Sequence, residues 1–157
     1  MAERPAGHVC DEAALQRLAR GLAPSIRTPL VVYLHGELGA GKTTLARALI
    51  QALGHAGRVK SPTYGLLEHY ELPSLRVLHL DLYRIGDPGE LEFLGIPDLL
   101  DDRTLLLVEW PERGGDQLPA ADLSIHLEHA GRVRSLAFDA HSESGRGLLQ
   151  ILAELIK

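Results

Sequence analysis

The chain has 157 residues and a mass of 17.1 kDa, the size of one domain with a core of its own. Hydrophobic residues make up 45% and charged residues 24%, which excludes a disordered segment, and a net charge of −5 argues against a free-standing nucleic-acid binder, DNA included, because that needs a basic face. One cysteine excludes a disulfide framework and a cysteine-rich zinc site; no apolar run reaches the ~18 residues of a membrane span, and the polar stretch Met1 to Cys10 has no apolar signal segment, so a soluble cytoplasmic protein with no membrane partner is expected.

Asp11 to Leu22 is predicted to be a helix, capped by Asp11, with Ala14, Leu15, Leu18, Ala19 and Leu22 at helical spacing. Leu30 to Leu34 is a continuous apolar run, the pattern of a parallel strand buried on both faces. A glycine-rich turn, Gly36 to Gly41, leads into a second helix over Thr43 to Leu53, and Gly54 stops it. Leu66 to Leu72 and Leu75 to Leu82 read as a hairpin turned at Pro73-Ser74, and Pro88 to Leu94 as a short helix before Gly95. Leu105 to Val108 is a second buried-type strand. Leu123 to Leu127 alternates apolar and polar residues, and Ala130-Gly131 can turn it back into Val133 to Phe138. A last helix from about Gly147 carries Leu148, Leu152 and Leu155 on one side. The order predicts one α/β domain over residues 1–157, with a mixed, partly parallel central sheet flanked by helices.

Gly36-Glu37-Leu38-Gly39-Ala40-Gly41-Lys42-Thr43 matches G-x-x-x-x-G-K-[ST] in full, between a strand and a helix. That arrangement suits phosphate. Free N–H groups of Gly39, Ala40 and Gly41 and the helix dipole face an anion. Lys42 is placed to reach β- and γ-phosphates, Thr43 to ligate magnesium, and Thr44 to donate near an α-phosphate. The expected fold is therefore a single P-loop NTPase domain, with ATP and Mg²⁺ bound. The chain has no asparagine, so an Asn-Lys-x-Asp guanine reader cannot exist, which tilts the base towards adenine. Two apolar strands end in acids, Asp81 and Glu109, where such a sheet puts its ligand. Either could orient the metal or the attacking water, and the pattern leaves that division open. Lys60-Ser61-Pro62-Thr63-Tyr64 could close over the γ-phosphate or be an ordinary Ser-Pro turn. His126 and His129, three apart on a strand, cannot share a metal.

Taken in order, the loop through Thr44, then Ser61-Pro62-Thr63-Tyr64, His79-Leu80-Asp81-Leu82-Tyr83-Arg84 and Glu109-Trp110-Pro111-Glu112 closely resemble the TsaE (YjeE) family. The resemblance spans roughly Leu15 to Leu127. It implies a small bacterial ATPase of tRNA threonylcarbamoyladenosine formation that acts on a TsaB–TsaD protein complex and meets tRNA only indirectly. By position, Thr43 and Glu109 would ligate magnesium, with Asp81 as the acid needed for hydrolysis and a further metal-side ligand. Thr63 would belong to a switch-like segment of the nucleotide site, and Trp110 would lie near the site or the partner surface. Glu37 and Tyr64 depart from the family's commoner Asp and Phe. Two other classes fit a phosphate loop: a small-molecule kinase, with Asp87 to Asp102 as its acceptor lid, and a nucleotide-binding module that never hydrolyses.

Overall fold

A computed structural model describes residues 6–9, 11–60, 62 and 66–156. Its sheet has seven strands in the order β1-β7-β6-β2-β5-β4-β3. They are β1 (Ala6–Val9), β2 (Leu30–His35), β3 (Leu67–Glu71), β4 (Arg76–Asp81), β5 (Thr104–Glu109), β6 (Leu123–Ala130) and β7 (Val133–Ala140). The centre, β6-β2-β5-β4, is parallel, while β3, β7 and β1 add antiparallel edges. The mixed, partly parallel α/β sheet expected from the element order is therefore what forms.

Helices α1 (Glu12–Leu22), α2 (Lys42–Ala52) and α4 (Glu143–Leu155) pack on one face. The Asp11 carboxylate accepts from the Ala14 N–H at 2.9 Å and satisfies one orphan donor of α1. Leu15, Leu18, Ala19 and Leu22 bury the helix's apolar stripe. Leu15 is fully buried, and truncating such a leucine to alanine costs about 2–5 kcal/mol. The other face is covered by a 3-10 segment, Pro88–Leu94, and a single-turn helix, α3 (Ile96–Leu99), which bury Leu91 and Ile96 against β4 and β5. No helix among the described residues is long and apolar enough to cross a membrane.

Three local readings need correction, and one strand carries no sequence signal. Strand β2 is not buried equally on both sides: Leu30, Val32 and Leu34 are buried, while Val31, Tyr33 and His35 are half-exposed. The covering segments stop short of it, whereas all six residues of β5 are buried. Pro88–Leu94 winds as 3-10, entered through Asp87, whose carboxylate accepts from Gly89 N–H at 2.7 Å. Helix α4 starts at Glu143, four residues earlier than its leucine pattern suggests, because Ser142 caps Gly145. The intervening glycine disguises that turn. A Cβ on Gly145 would lie 1.8 Å from the Asp122 carbonyl oxygen, so packing demands the residue that propensity disfavours. Finally, β1 has no periodic signal and is recruited by pairing with β7.

This topology decides the site. Strands β2, β4 and β5 run parallel and end together, so the turn after β2 and the last residues of β4 and β5 share one edge. Asp81 and Glu109 are register partners, and Glu109 also pairs Leu34.

Candidate functional site

The glycine-rich turn can exist only with glycine at two places. A Cβ at Gly36 would lie 2.5 Å from the Leu127 carbonyl oxygen. Gly41, the N-cap of α2, has φ +110°, a backbone that side chains rarely adopt. Ala40 is buried beneath the turn and presents backbone rather than side chain. Gly39, Gly41, Lys42, Thr43 and Thr44 line one open cleft with Asp81, Glu109, Trp110 and Arg134. Thr63, also singled out by the sequence, lies with Ser61 and Tyr64 outside the described residues.

Lys42 is 5% exposed. Its ammonium donates to the Gly36 and Glu37 carbonyl oxygens at 2.6 and 3.0 Å and sits 4.4 Å from the Trp110 ring centroid. Burial lowers its pKa, and the carboxylates of Glu109 and Asp81 pull back the other way. Thr43 Oγ1 donates to Glu109 Oε1 at 2.7 Å, and His79 Nε2 lies 2.7 Å from Glu109 Oε2. Both oxygens of that buried acid are thus held.

Asp81 lies at the end of β4. Burial pushes its carboxyl pKa up, nearby Glu109 adds to this, and the Tyr83 N–H it accepts at 3.0 Å opposes the rise. The site therefore gathers a cation, a hydroxyl and two acids that repel one another. Hard oxygens this close suit a small divalent cation, and a bound cation would relieve the burden that burial places on Asp81.

His79 and Arg113 lie at the site without a sequence expectation, and Trp110, expected near the site or the partner surface, lines the cleft. His79 is fully buried behind Glu109; its only sequence signal is a polar residue inside an apolar strand, two before Asp81 and so on the same face. Trp110 takes a left-handed backbone, φ +57°, which turns its ring under the Lys42 ammonium and against Tyr83 at 5.1 Å. Arg113 lies 5.1 Å from both of those rings. The β6–β7 hairpin closes the other side: His129 Nε2 contacts the Gly39 carbonyl oxygen at 2.6 Å, and Arg134 lies against Gly41.

Fold and site together define a small single-domain α/β protein in which strand, glycine-rich turn and helix meet two strand-end acids. The model of the family described as "Threonylcarbamoyl adenosine biosynthesis protein TsaE" matches residues 9–136. A tRNA threonylcarbamoyladenosine biosynthesis protein TsaE from Haemophilus influenzae is 38% identical over 147 residues, covering 90% of this chain and 93% of that protein. The TsaE protein of Aquifex aeolicus is 39% identical over 126 residues, 79% of this chain and 90% of its own. A crystal structure of Bacillus subtilis YdiB superposes with a TM-score of 0.82 at 26% identity, covering 98% of this chain and 97% of that one. The chain belongs to the TsaE family, as the ordered motifs in the sequence imply.

Proposed function

We propose that the chain is the ATP-hydrolysing component of tRNA threonylcarbamoyladenosine formation and that it acts in the cytoplasm on a TsaB–TsaD type complex. The observation that carries this reading is the convergence of Lys42, Thr43, Asp81 and Glu109 on one cleft at the mouth of the glycine-rich turn.

In this reading the turn's amides and Lys42 bind the β- and γ-phosphates. Thr43 and Glu109, with Asp81 nearby, would hold Mg²⁺, which supplies charge neutralisation at the phosphate oxygens when bound. Glu109 is immobilised by Thr43 and His79, which suits a fixed ligand. Asp81, with its raised pKa, suits the acid that orients water. The water oxygen bonds to the γ-phosphorus as the bond to the β–γ bridging oxygen breaks. Negative charge on that leaving oxygen is met by Lys42 and the turn's N–H groups. Water's proton passes to Asp81 or to the departing phosphate.

The segment that a metabolite kinase would need as an acceptor lid, Asp87 to Asp102, is instead spent on covering the second sheet face. That favours hydrolysis coupled to another protein. The charge of −5 fits tRNA being met through the partners rather than directly.

The test is Mg²⁺-dependent ADP release with and without a purified TsaB–TsaD pair. Wild type is expected to hydrolyse slowly alone and faster with the pair, and Lys42→Ala to lose the activity. Wild-type turnover in that variant, or background ADP even with the pair, would overturn the reading.

A further inference from the structure

Phe93 is 93% exposed, while the chain's other phenylalanine, Phe138, is fully buried. The exposure does not come from a loose backbone. Phe93 sits in the 3-10 segment Pro88–Leu94, which buries Leu91, and Ile96 of α3 enters the same apolar cluster just after it. Asp87 caps the start of the segment, and the Glu90 carboxylate accepts from the Gly86 N–H at 3.3 Å. Gly95 ends it with φ +60° and an N–H that donates to the Glu92 carbonyl oxygen at 3.2 Å. A segment anchored from below and at both ends therefore holds an aromatic ring out in solvent.

The charge of this stretch is all of one sign. Between Arg84 and Arg103 stand six acids, Asp87, Glu90, Glu92, Asp98, Asp101 and Asp102, and no lysine, arginine or histidine. They account for the whole negative excess of the chain. Asp87 and Glu90 are used in the turns just described, and Asp101 holds Thr104 and Arg76. Glu92, Asp98 and Asp102 are exposed and make no hydrogen bond or ion pair among the described residues. A rigid exposed aromatic is the kind of side chain that anchors a protein interface. Uncompensated acids in its segment repel RNA and anionic membranes, and a second copy docking through the same face would set acid against acid. The complementary occupant is a protein surface with an apolar pocket rimmed by lysine and arginine. We propose that Phe93, with Glu92 and Asp98, is the face by which this chain docks on such a surface of the TsaB–TsaD type complex. This rests on the reading that the complex is its partner. The segment joins β4 to β5, the strands that end in Asp81 and Glu109, and its Leu91 packs with Leu80, Leu82 and Val108. A partner that grips Phe93 thus bears on the apolar layer behind both acids, a route from docking to hydrolysis.

Calorimetric titration of wild type, F93A and E92K/D98K with a purified TsaB–TsaD pair in the presence of ATP, at low and high salt, tests it. F93A is expected to weaken binding roughly tenfold or more, as truncating an anchoring aromatic does. E92K/D98K should also bind more weakly, and its affinity should change less with salt than that of wild type. Phe93 does not line the cleft, so ADP release by F93A alone should equal that of wild type, while its stimulation by a fixed amount of the pair falls. Both variants replace exposed side chains, and unchanged melting midpoints show that they fold. F93A binding within about twofold of wild type overturns the docking face and leaves the partnership itself intact. Weaker binding by F93A with E92K/D98K at wild-type affinity overturns the basic rim. Loss of unstimulated hydrolysis in F93A would place Phe93 in the service of the cleft and overturn the assignment. Failure of wild type to bind the pair sinks the partner reading and this one together.

Discussion

Replacing His79 with leucine isolates one buried hydrogen bond behind the proposed metal-side acid. His79 is 0% and Glu109 2% exposed, and Nε2 and Oε2 are 2.7 Å apart. A carboxylate only accepts, so Nε2 carries the proton. Leucine has similar bulk and fills the space, but leaves Oε2 buried with no donor from β4. Breaking a buried pair from one side costs about 3–5 kcal/mol. His79 Nδ1, buried and unpartnered among the described residues, is removed at the same time, and that gain offsets part of the loss. The lower end, about 3 kcal/mol, is therefore expected. For a domain of this size that is a fall of roughly 6–12 °C in melting midpoint. Urea titration without nucleotide reads it as a lower midpoint at unchanged slope. In H79L/E109Q the acid no longer brings a full charge into the interior, so part of the loss should return, with a coupling of about 1–3 kcal/mol. A single variant within about 0.5 kcal/mol of wild type, or strictly additive variants, would refute the claim that His79 holds Glu109.

Two more outcomes follow from the same geometry. Asp81→Asn should lower hydrolysis roughly 10²-fold or more while raising stability at neutral pH by about 0.5–2 kcal/mol. Because burial raises the Asp81 pKa above its ordinary 3.8, the fold favours the protonated acid. Ionising it in place works against folding as pH rises through that range, and the asparagine escapes this. The advantage should therefore vanish in denaturation series run below about pH 3.8, and a variant less stable than wild type at pH 7 would contradict it. Trp110 is the sole tryptophan and lies 4.4 Å under the Lys42 ammonium. Phosphates that draw that ammonium away remove a cation–π contact, so intrinsic emission should change on adding ATP. Emission that stays flat while calorimetry records binding would show that Lys42 does not leave the ring.

Much of the site is local and was therefore legible. The turn from Gly36 to Thr43 carries its chemistry within eight consecutive residues, because its donors are backbone groups and its cation is the next side chain. Asp81 and Glu109 were readable as acids ending apolar runs, since a strand buried on both faces must place its polar residue where it leaves the core. Periodicity likewise located α1, α2 and the β3–β4 and β6–β7 hairpins. The early start of α4 escaped because Gly145 answers to a carbonyl of Asp122, 23 residues away in sequence, and propensity sees only neighbours.

What the tertiary structure alone decided is which distant residues meet. Charge, size and the phosphate-loop motif were properties of the chain itself. The strand order was not, and it is the strand order that sets β4 and β5 on one side of the turn and β7 on the other. Only then do His79 and Thr43 fall on the two oxygens of one carboxylate, Trp110 fall under Lys42, and Arg134 lie against Gly41. Each of these contacts spans tens of residues. No local pattern encodes them, because they arise from the register of a sheet closed by its whole core.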